Sequence, residues 1–96
     1  MSRPIKKRRI GNEPEFNRFG PKGVPNQGLI NLTLEELETI KLIDINNITQ
    51  EECASSMGIA RTTVTSIYTV ARKKIATAII EGKTLIIEGG NYIISK

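Results

Sequence analysis

The chain is 96 residues long, carries a formal charge of +4, and has no histidine and a single cysteine, Cys53. Without histidine the usual general base, the imidazole metal ligand and any Ser–His or Cys–His nucleophile are gone, so no enzyme activity, metal or cofactor is expected. One thiol closes no internal disulfide, which points to a reducing, cytoplasmic setting. The apolar runs are too short for a membrane span, and no apolar segment follows the basic start to make a signal peptide.

The charge is segregated. Residues 1–22 hold seven basic side chains against Glu13 and Glu15; residues 33–52 hold Lys41 against six acids; residues 61–83 hold five basic side chains against Glu81. A polyanion would meet the first and third segments and avoid the second.

Residues 1–28 contain all four prolines and read as a basic arm followed by an irregular loop, with Phe16 and Phe19 placed to pin the loop to the body. Thr33 opens a first helix as an N-cap, with Glu36 three residues on completing a capping box. Leu34, Leu37, Ile40 and Ile43 recur at helical spacing, and Asn46-Asn47 ends the helix. Its glutamates read as a solvated acidic face that suits the positive end of the helix dipole. Thr49, with Glu52 three on, caps a short second helix that ends at Gly58. A third helix spans about 61–80 and closes at Gly82. Thr84 to Ser95 then forms two β-prone runs joined by Gly89-Gly90, which predicts a hairpin in which Ile87 faces Tyr92 and Leu85 faces Ile94.

The second and third helices, joined by a short turn containing Gly58, have the helix-turn-helix outline. Cys53, Met57, Ile59, Val64 and Ile67 supply apolar residues where the two helices touch, and Ala54 is small at their closest approach. On a wheel of about 100° per residue, Val64, Ile67, Tyr68, Ala71 and Ile75 form the buried stripe of the third helix. Arg61, Thr62, Thr65, Ser66, Thr69, Arg72 and Lys73 form an exposed one. Short hydroxyl side chains let a helix approach base edges in the major groove, and an arginine can fork onto guanine. Arg61, Thr62, Thr65, Ser66 and Thr69 are therefore the candidate base contacts. Arg72 and Lys73, with Thr49 and Gln50 at the start of the second helix, are the candidate phosphate contacts.

The segment from Leu32 to Ile75, "LTLEELETIKLIDINNITQEECASSMGIARTTVTSIYTVARKKI", resembles region 4 of sigma-70-type transcription factors. Nearly the whole chain is similar to a family of small, functionally uncharacterised bacterial and archaeal proteins described as predicted DNA-binding proteins. The likeness rests on Arg3-Pro4-Ile5-Lys6-Lys7-Arg8-Arg9, Glu13-Pro-Glu-Phe16, Phe19-Gly-Pro-Lys-Gly23 and Glu81-Gly-Lys-Thr-Leu-Ile-Ile-Glu-Gly-Gly90. The resemblance implies a sigma-region-4-like helix-turn-helix and DNA binding without a known target. One departure is Ala60, where the third helix would ordinarily be capped by Ser or Thr; losing such a cap costs on the order of 1 kcal/mol.

These readings give a mainly α fold. A basic arm and loop (1–28) precede a three-helix, sigma-region-4-like helix-turn-helix domain (29–83) and a C-terminal β-hairpin (84–96). The expected function is sequence-specific DNA binding in transcriptional regulation. Arg3, Lys6, Lys7, Arg8 and Arg9 would track the minor groove. The hairpin, apolar on both faces, is the candidate dimerisation element of a homodimer. Cys53 reads as a buried thiol. The main rival is a protein-interaction module, with RNA polymerase as a possible partner; RNA binding is weaker because only Phe16, Phe19, Tyr68 and Tyr92 offer stacking platforms.

Overall fold

Two Thr-x-x-Glu boxes start the first two helices, as their spacing predicts. The computed structural model describes residues 7–25 and 27–94. Thr33 Oγ1 accepts from the Glu36 amide at 3.3 Å, and Glu36 Oε1 accepts from the Thr33 amide at 2.9 Å. Thr49 and Glu52 repeat the exchange at 3.1 and 2.9 Å. Helix α1 (Leu34–Thr39) runs directly into a π-helical segment, Ile40–Ile45. Its wider turn is closed by Asn46 N–H donating to the Lys41 carbonyl, five residues back, at 2.9 Å. The chain leaves at Asn47, in the left-handed region at φ 58°. Helix α2 (Gln50–Met57) ends on Gly58 at φ 68°, and α3 (Arg61–Glu81) ends on Gly82 at φ 67°. Ala60 gives α3 no side-chain cap, as its methyl dictates.

The helices pack on five short strands: β1 (Arg8–Ile10), β2 (Arg18–Phe19), β3 (Leu29–Leu32), β4 (Thr84–Ile87) and β5 (Tyr92–Ile94). Strand β4 is the middle of a three-stranded sheet, antiparallel to β2 and parallel to β3, with Leu32 opposite Ile87. Strand β5 pairs in parallel with β1, Arg8 opposite Tyr92.

The C-terminal hairpin therefore does not form. Both predicted runs are strands, but Gly89-Gly90 carries the chain from one sheet to the other around the start of α1. The Leu34 amide donates to the Gly89 carbonyl at 3.0 Å, and the Asn91 amide donates to Glu35 Oε1 at 2.7 Å. An unpaired amide of the helix start and a helix carboxylate take up groups that a hairpin turn would have paired with itself. Gly90 lies at φ 113°, and a Cβ there would collide with Glu35 Oε1. The N-terminal region likewise is not wholly irregular, since β1 and β2 pair with the C-terminal strands. Phe16 and Phe19 do not pin it: they are 69% and 51% exposed.

Two apolar clusters make the core. Ile10, Leu32, Leu34, Ala71, Leu85 and Ile87 belong to the first, with Ala78. Leu42, Cys53, Ala54, Met57 and Val64 form the second. Helix α3 runs through both. Leu42 is buried while Ile43 is only half-buried, because Leu42 continues the buried face of Glu35, Glu38 and Thr39 at helical spacing.

The glutamates of α1 are not a solvated face. Glu35, Glu36 and Glu38 are all buried. Glu35 pairs with Arg8 at 3.7 Å, Glu36 with Lys74 at 2.8 Å and Glu38 with Lys41 at 3.5 Å. Glu38 also accepts from the Gly11 amide at 3.2 Å. Each carboxylate ties α1 to another part of the chain or to its own helix. A buried charge persists only where such partners compensate it.

Candidate nucleic-acid interface

Helices α2 and α3 are joined by Gly58, Ile59 and Ala60. Gly58 N–H donates to the Ser55 carbonyl at 3.3 Å and Ile59 N–H to the Ala54 carbonyl at 3.0 Å, which satisfies the carbonyls at the end of α2. Cys53, Ala54, Met57 and Val64 are buried at the contact, and Ile59 packs against them. Ile67 is half-buried. The Cys53 thiol donates to Met57 Sδ at 3.7 Å. Burial, with a smaller push from the negative Glu38, raises it to about 11.

This packing turns one face of α3 outward. Arg61, Thr62, Thr65, Ser66 and Thr69 are all exposed, as are Arg72 and Lys73. The hydroxyls of Thr62, Ser66 and Thr69 make no hydrogen bond among the described residues. Thr65 differs: its hydroxyl lies between Gln50 Oε1 and the Arg61 carbonyl, and donates toward both. A predicted base contact and a predicted phosphate contact thus bond to each other. The link fixes the start of α2 against α3 and leaves the Gln50 amide NH₂ as a donor.

At the basic exit, Arg72 and Lys73 are in different situations. Arg72 Nε lies 3.5 Å from Asp44 Oδ2, and its guanidinium sits 5.5 Å from the Tyr68 ring centroid. The Tyr68 hydroxyl donates to Asp44 Oδ1 at 2.6 Å. That bond, with some burial and the Asp44 charge, holds the phenol above its ordinary range against an opposing pull from Arg72. Lys73 makes no ion pair among the described residues. The sequence reading missed Asp44, which is 28 positions from Arg72; only the Tyr68–Arg72 spacing of four residues was visible there.

The start of α2 is less free than its sequence suggests. The Thr49 hydroxyl and amide are both engaged with Glu52, whose carboxyl they hold below its usual range. Glu51 stands exposed beside them.

The predicted arm divides. Arg3 and Lys6 lie outside the described residues. Lys7 is exposed. Arg8, expected on DNA, is instead drawn inward to Glu35, with its side chain 18% exposed. Arg9 donates to the Ser55 carbonyl at 3.2 Å and lies over Gly58, where a Cβ would come 3.0 Å from its guanidinium. The strand pairing of β1 dictates this, because it fixes the backbone of both arginines against the body.

Among the described residues, no group of three or more His, Cys, Asp or Glu side chains is placed to hold a metal ion, and no helix is long and apolar enough to cross a membrane.

The fold and this surface define a small three-helix domain with short strands that presents one long helix face, first hydroxyl-rich and then basic. Residues 1–95 match the family described as "Protein of unknown function DUF134", and the chain belongs to that family. It is 51% identical to the UPF0251 protein DSY3441 of Desulfitobacterium hafniense (strain Y51), over 96% of this chain and 75% of the relative. It is 47% identical to a UPF0251 protein of Halothermothrix orenii, over 100% of this chain and 73% of the relative. With UPF0251 protein TTE1845 of Caldanaerobacter subterraneus the identity is also 47%, over 96% and 80%. No solved structure matches the chain.

Proposed function

We propose that the protein is a sequence-specific DNA-binding protein that acts in transcriptional regulation. In this reading α2 and α3 are a sigma-region-4-like helix-turn-helix, and α3 is the recognition helix. The observation that carries it is the outward face of α3. Arg61 and the unbonded hydroxyls of Thr62, Ser66 and Thr69 stand exposed in the first half of the helix, and Arg72 and Lys73 follow. A helix entering the major groove by its N-terminal half needs short hydrogen-bonding side chains there and cations where it leaves. Thr65 acts by locking Gln50 in place, so that the Gln50 amide is presented beside the same groove.

The test is selection of genomic DNA fragments by the purified protein at two salt concentrations, beside a Thr62→Ala, Ser66→Ala variant. A short consensus lost in the variant is the expected result. Capture that is uniform, salt-sensitive and unchanged in the variant would refute base reading. It would favour the interaction module, which the acidic start of α2 at Glu51 and Glu52 also suits.

A further inference from the structure

Gln50 is the first residue of α2 and is half-buried, while Thr65 stands exposed on α3, one turn in from Arg61. Their side chains meet across the two helices. The Thr65 hydroxyl has a single proton and two acceptors in reach, Gln50 Oε1 at 2.5 Å and the Arg61 carbonyl at 3.1 Å. The Arg61 carbonyl already takes the Thr65 backbone N–H, four residues on in the helix. The amide oxygen is both the nearer acceptor and the one in need of a donor, so the proton belongs chiefly to Gln50.

This bond changes what Gln50 can recognise. A free glutamine offers an acceptor and two donors side by side, the pattern that pairs with N6 and N7 of adenine. A glutamine whose oxygen is taken up offers donors alone. Arg61, tied through its own carbonyl to the same hydroxyl, is exposed and also only donates. In the major groove guanine shows two acceptors, O6 and N7, and no donor. Adenine and cytosine each show an amino group, which a second donor repels, and thymine shows one acceptor beside its methyl.

We infer that Thr65 sets the base preference of this corner: by holding the Gln50 oxygen it makes Gln50 a donor-only reader that takes guanine and turns adenine away. The inference rests on α3 being the recognition helix. It exchanges the roles that the two positions suggest in the sequence. Thr65 is the positioning residue, and Gln50, expected on a phosphate, reads a base edge. Its place supports this, because Thr62 and Thr69 lie three residues before and four after Thr65 on the same outward stripe. Gln50 therefore joins the reading face alongside its hydroxyls.

The experiment is selection of bound sequences from a randomised duplex library by the purified full chain. Wild type, Gln50→Ala, Thr65→Val and Thr65→Ser are run in parallel, each with its circular dichroism spectrum checked. The wild-type consensus should contain a guanine whose preference vanishes in Gln50→Ala while the other positions persist. Adenine in place of that guanine should weaken the wild type about tenfold. Thr65→Val keeps the shape and removes the proton, so the freed Gln50 amide should accept adenine there at least as well as guanine. Thr65→Ser restores the hydroxyl and should restore guanine. Gln50→Ala and Thr65→Ser keep the test open if Thr65→Val fails to fold.

Adenine at the Gln50-dependent position of the wild type overturns the inference, as does a guanine preference unchanged in Thr65→Val. So does Gln50→Ala weakening all sequences alike, which would put the amide on a phosphate. In these three outcomes the wild-type consensus leaves the DNA reading standing. A wild type that selects no consensus sinks that reading and the base preference with it. The bond itself has a separate readout in the free protein: the Gln50 side-chain amide resonances should move in Thr65→Val and return in Thr65→Ser, and resonances that stay put in Thr65→Val overturn the inference whatever the DNA result.

Discussion

Asp44 holds two groups of α3 at once, and that makes a decisive pair of substitutions. If Arg72 meets a phosphate, it must first leave Asp44, 3.5 Å away. The Arg72 side chain is 64% exposed, so the ion pair is worth at most about 1 kcal/mol. Asp44→Asn removes that competitor, and a negative charge beside the DNA backbone with it. Binding at low salt should tighten by up to about fivefold, which is that 1 kcal/mol expressed as a ratio. The advantage should shrink as salt screens the exposed charge. Arg72→Ala acts in the opposite sense. Each phosphate contact contributes about 0.9 to the slope of log affinity on log salt, so the wild-type advantage should fall about 3.5-fold between about 50 and about 200 mM salt. The assay is fluorescence anisotropy with a labelled duplex across a salt series. Looser binding by Asp44→Asn, or an unchanged salt slope in Arg72→Ala, would show that Arg72 touches no phosphate. An internal check is available. The same Asp44→Asn change should lower the Tyr68 phenol titration, followed by ultraviolet absorbance, because it leaves a neutral, weaker acceptor for the phenol and removes the Asp44 charge.

Three further predictions concern the scaffold. Ala60→Ser supplies the missing cap of α3 and should add about 1 kcal/mol, seen as a rise of about 4–8 °C in thermal midpoint. Gly90→Ala should cost about 3 kcal/mol in urea unfolding, since it adds left-handed strain and collides with Glu35; Gly89→Ala, with nothing within 4 Å, should cost only the strain, about 1 kcal/mol. The Cys53 thiol is raised from 9.0 to about 11 in the folded chain, so the folded state keeps a proton that the unfolded state gives up. Stability is then fully present below pH 9 and falls as pH rises toward 11, by on the order of 2 kcal/mol from this group, and Cys53→Ala should show a shallower alkaline loss.

The helices were legible because their signals are local. Thr33 with Glu36, Thr49 with Glu52, and the glycines at 58 and 82 mark ends within a few residues, and each mark stands where the chain turns. The face of α3 was legible for the same reason. What escaped was set by partners far along the chain. Gly89-Gly90 has the composition of a hairpin turn, but Leu34 and Glu35, more than fifty positions away, claim its backbone. Arg8 reads as a free cation until Glu35 is placed beside it, and the three glutamates read as solvated until Arg8, Lys74 and Lys41 reach them. The π-helical turn at Ile40–Ile45 leaves no trace in a pattern scanned at a period of 3.6.

These internal pairings bear on how a duplex would approach. Much of the acidic segment is consumed inside the fold, so the charge left at the surface near α2 and α3 is Lys7, Arg9, Arg61, Arg72 and Lys73 on one sign, and Asp44, Glu51 and Glu52 on the other, with Arg72 and Asp44 paired. A phosphate at the start of α2 would meet the Thr49 end, where Glu51 is exposed and plays no part in capping. Glu51→Lys therefore tests whether that end touches DNA without disturbing the cap. A unit charge about 6 Å from a phosphate contributes roughly 0.5 kcal/mol after screening, so the two-unit change should tighten binding about fivefold if the end is in contact. No change in affinity or salt slope would withdraw Thr49 and Gln50 from the phosphate contacts. The helix would then be docked by Arg61 and by the basic exit at Arg72 and Lys73, with the start of α2 turned away from the backbone.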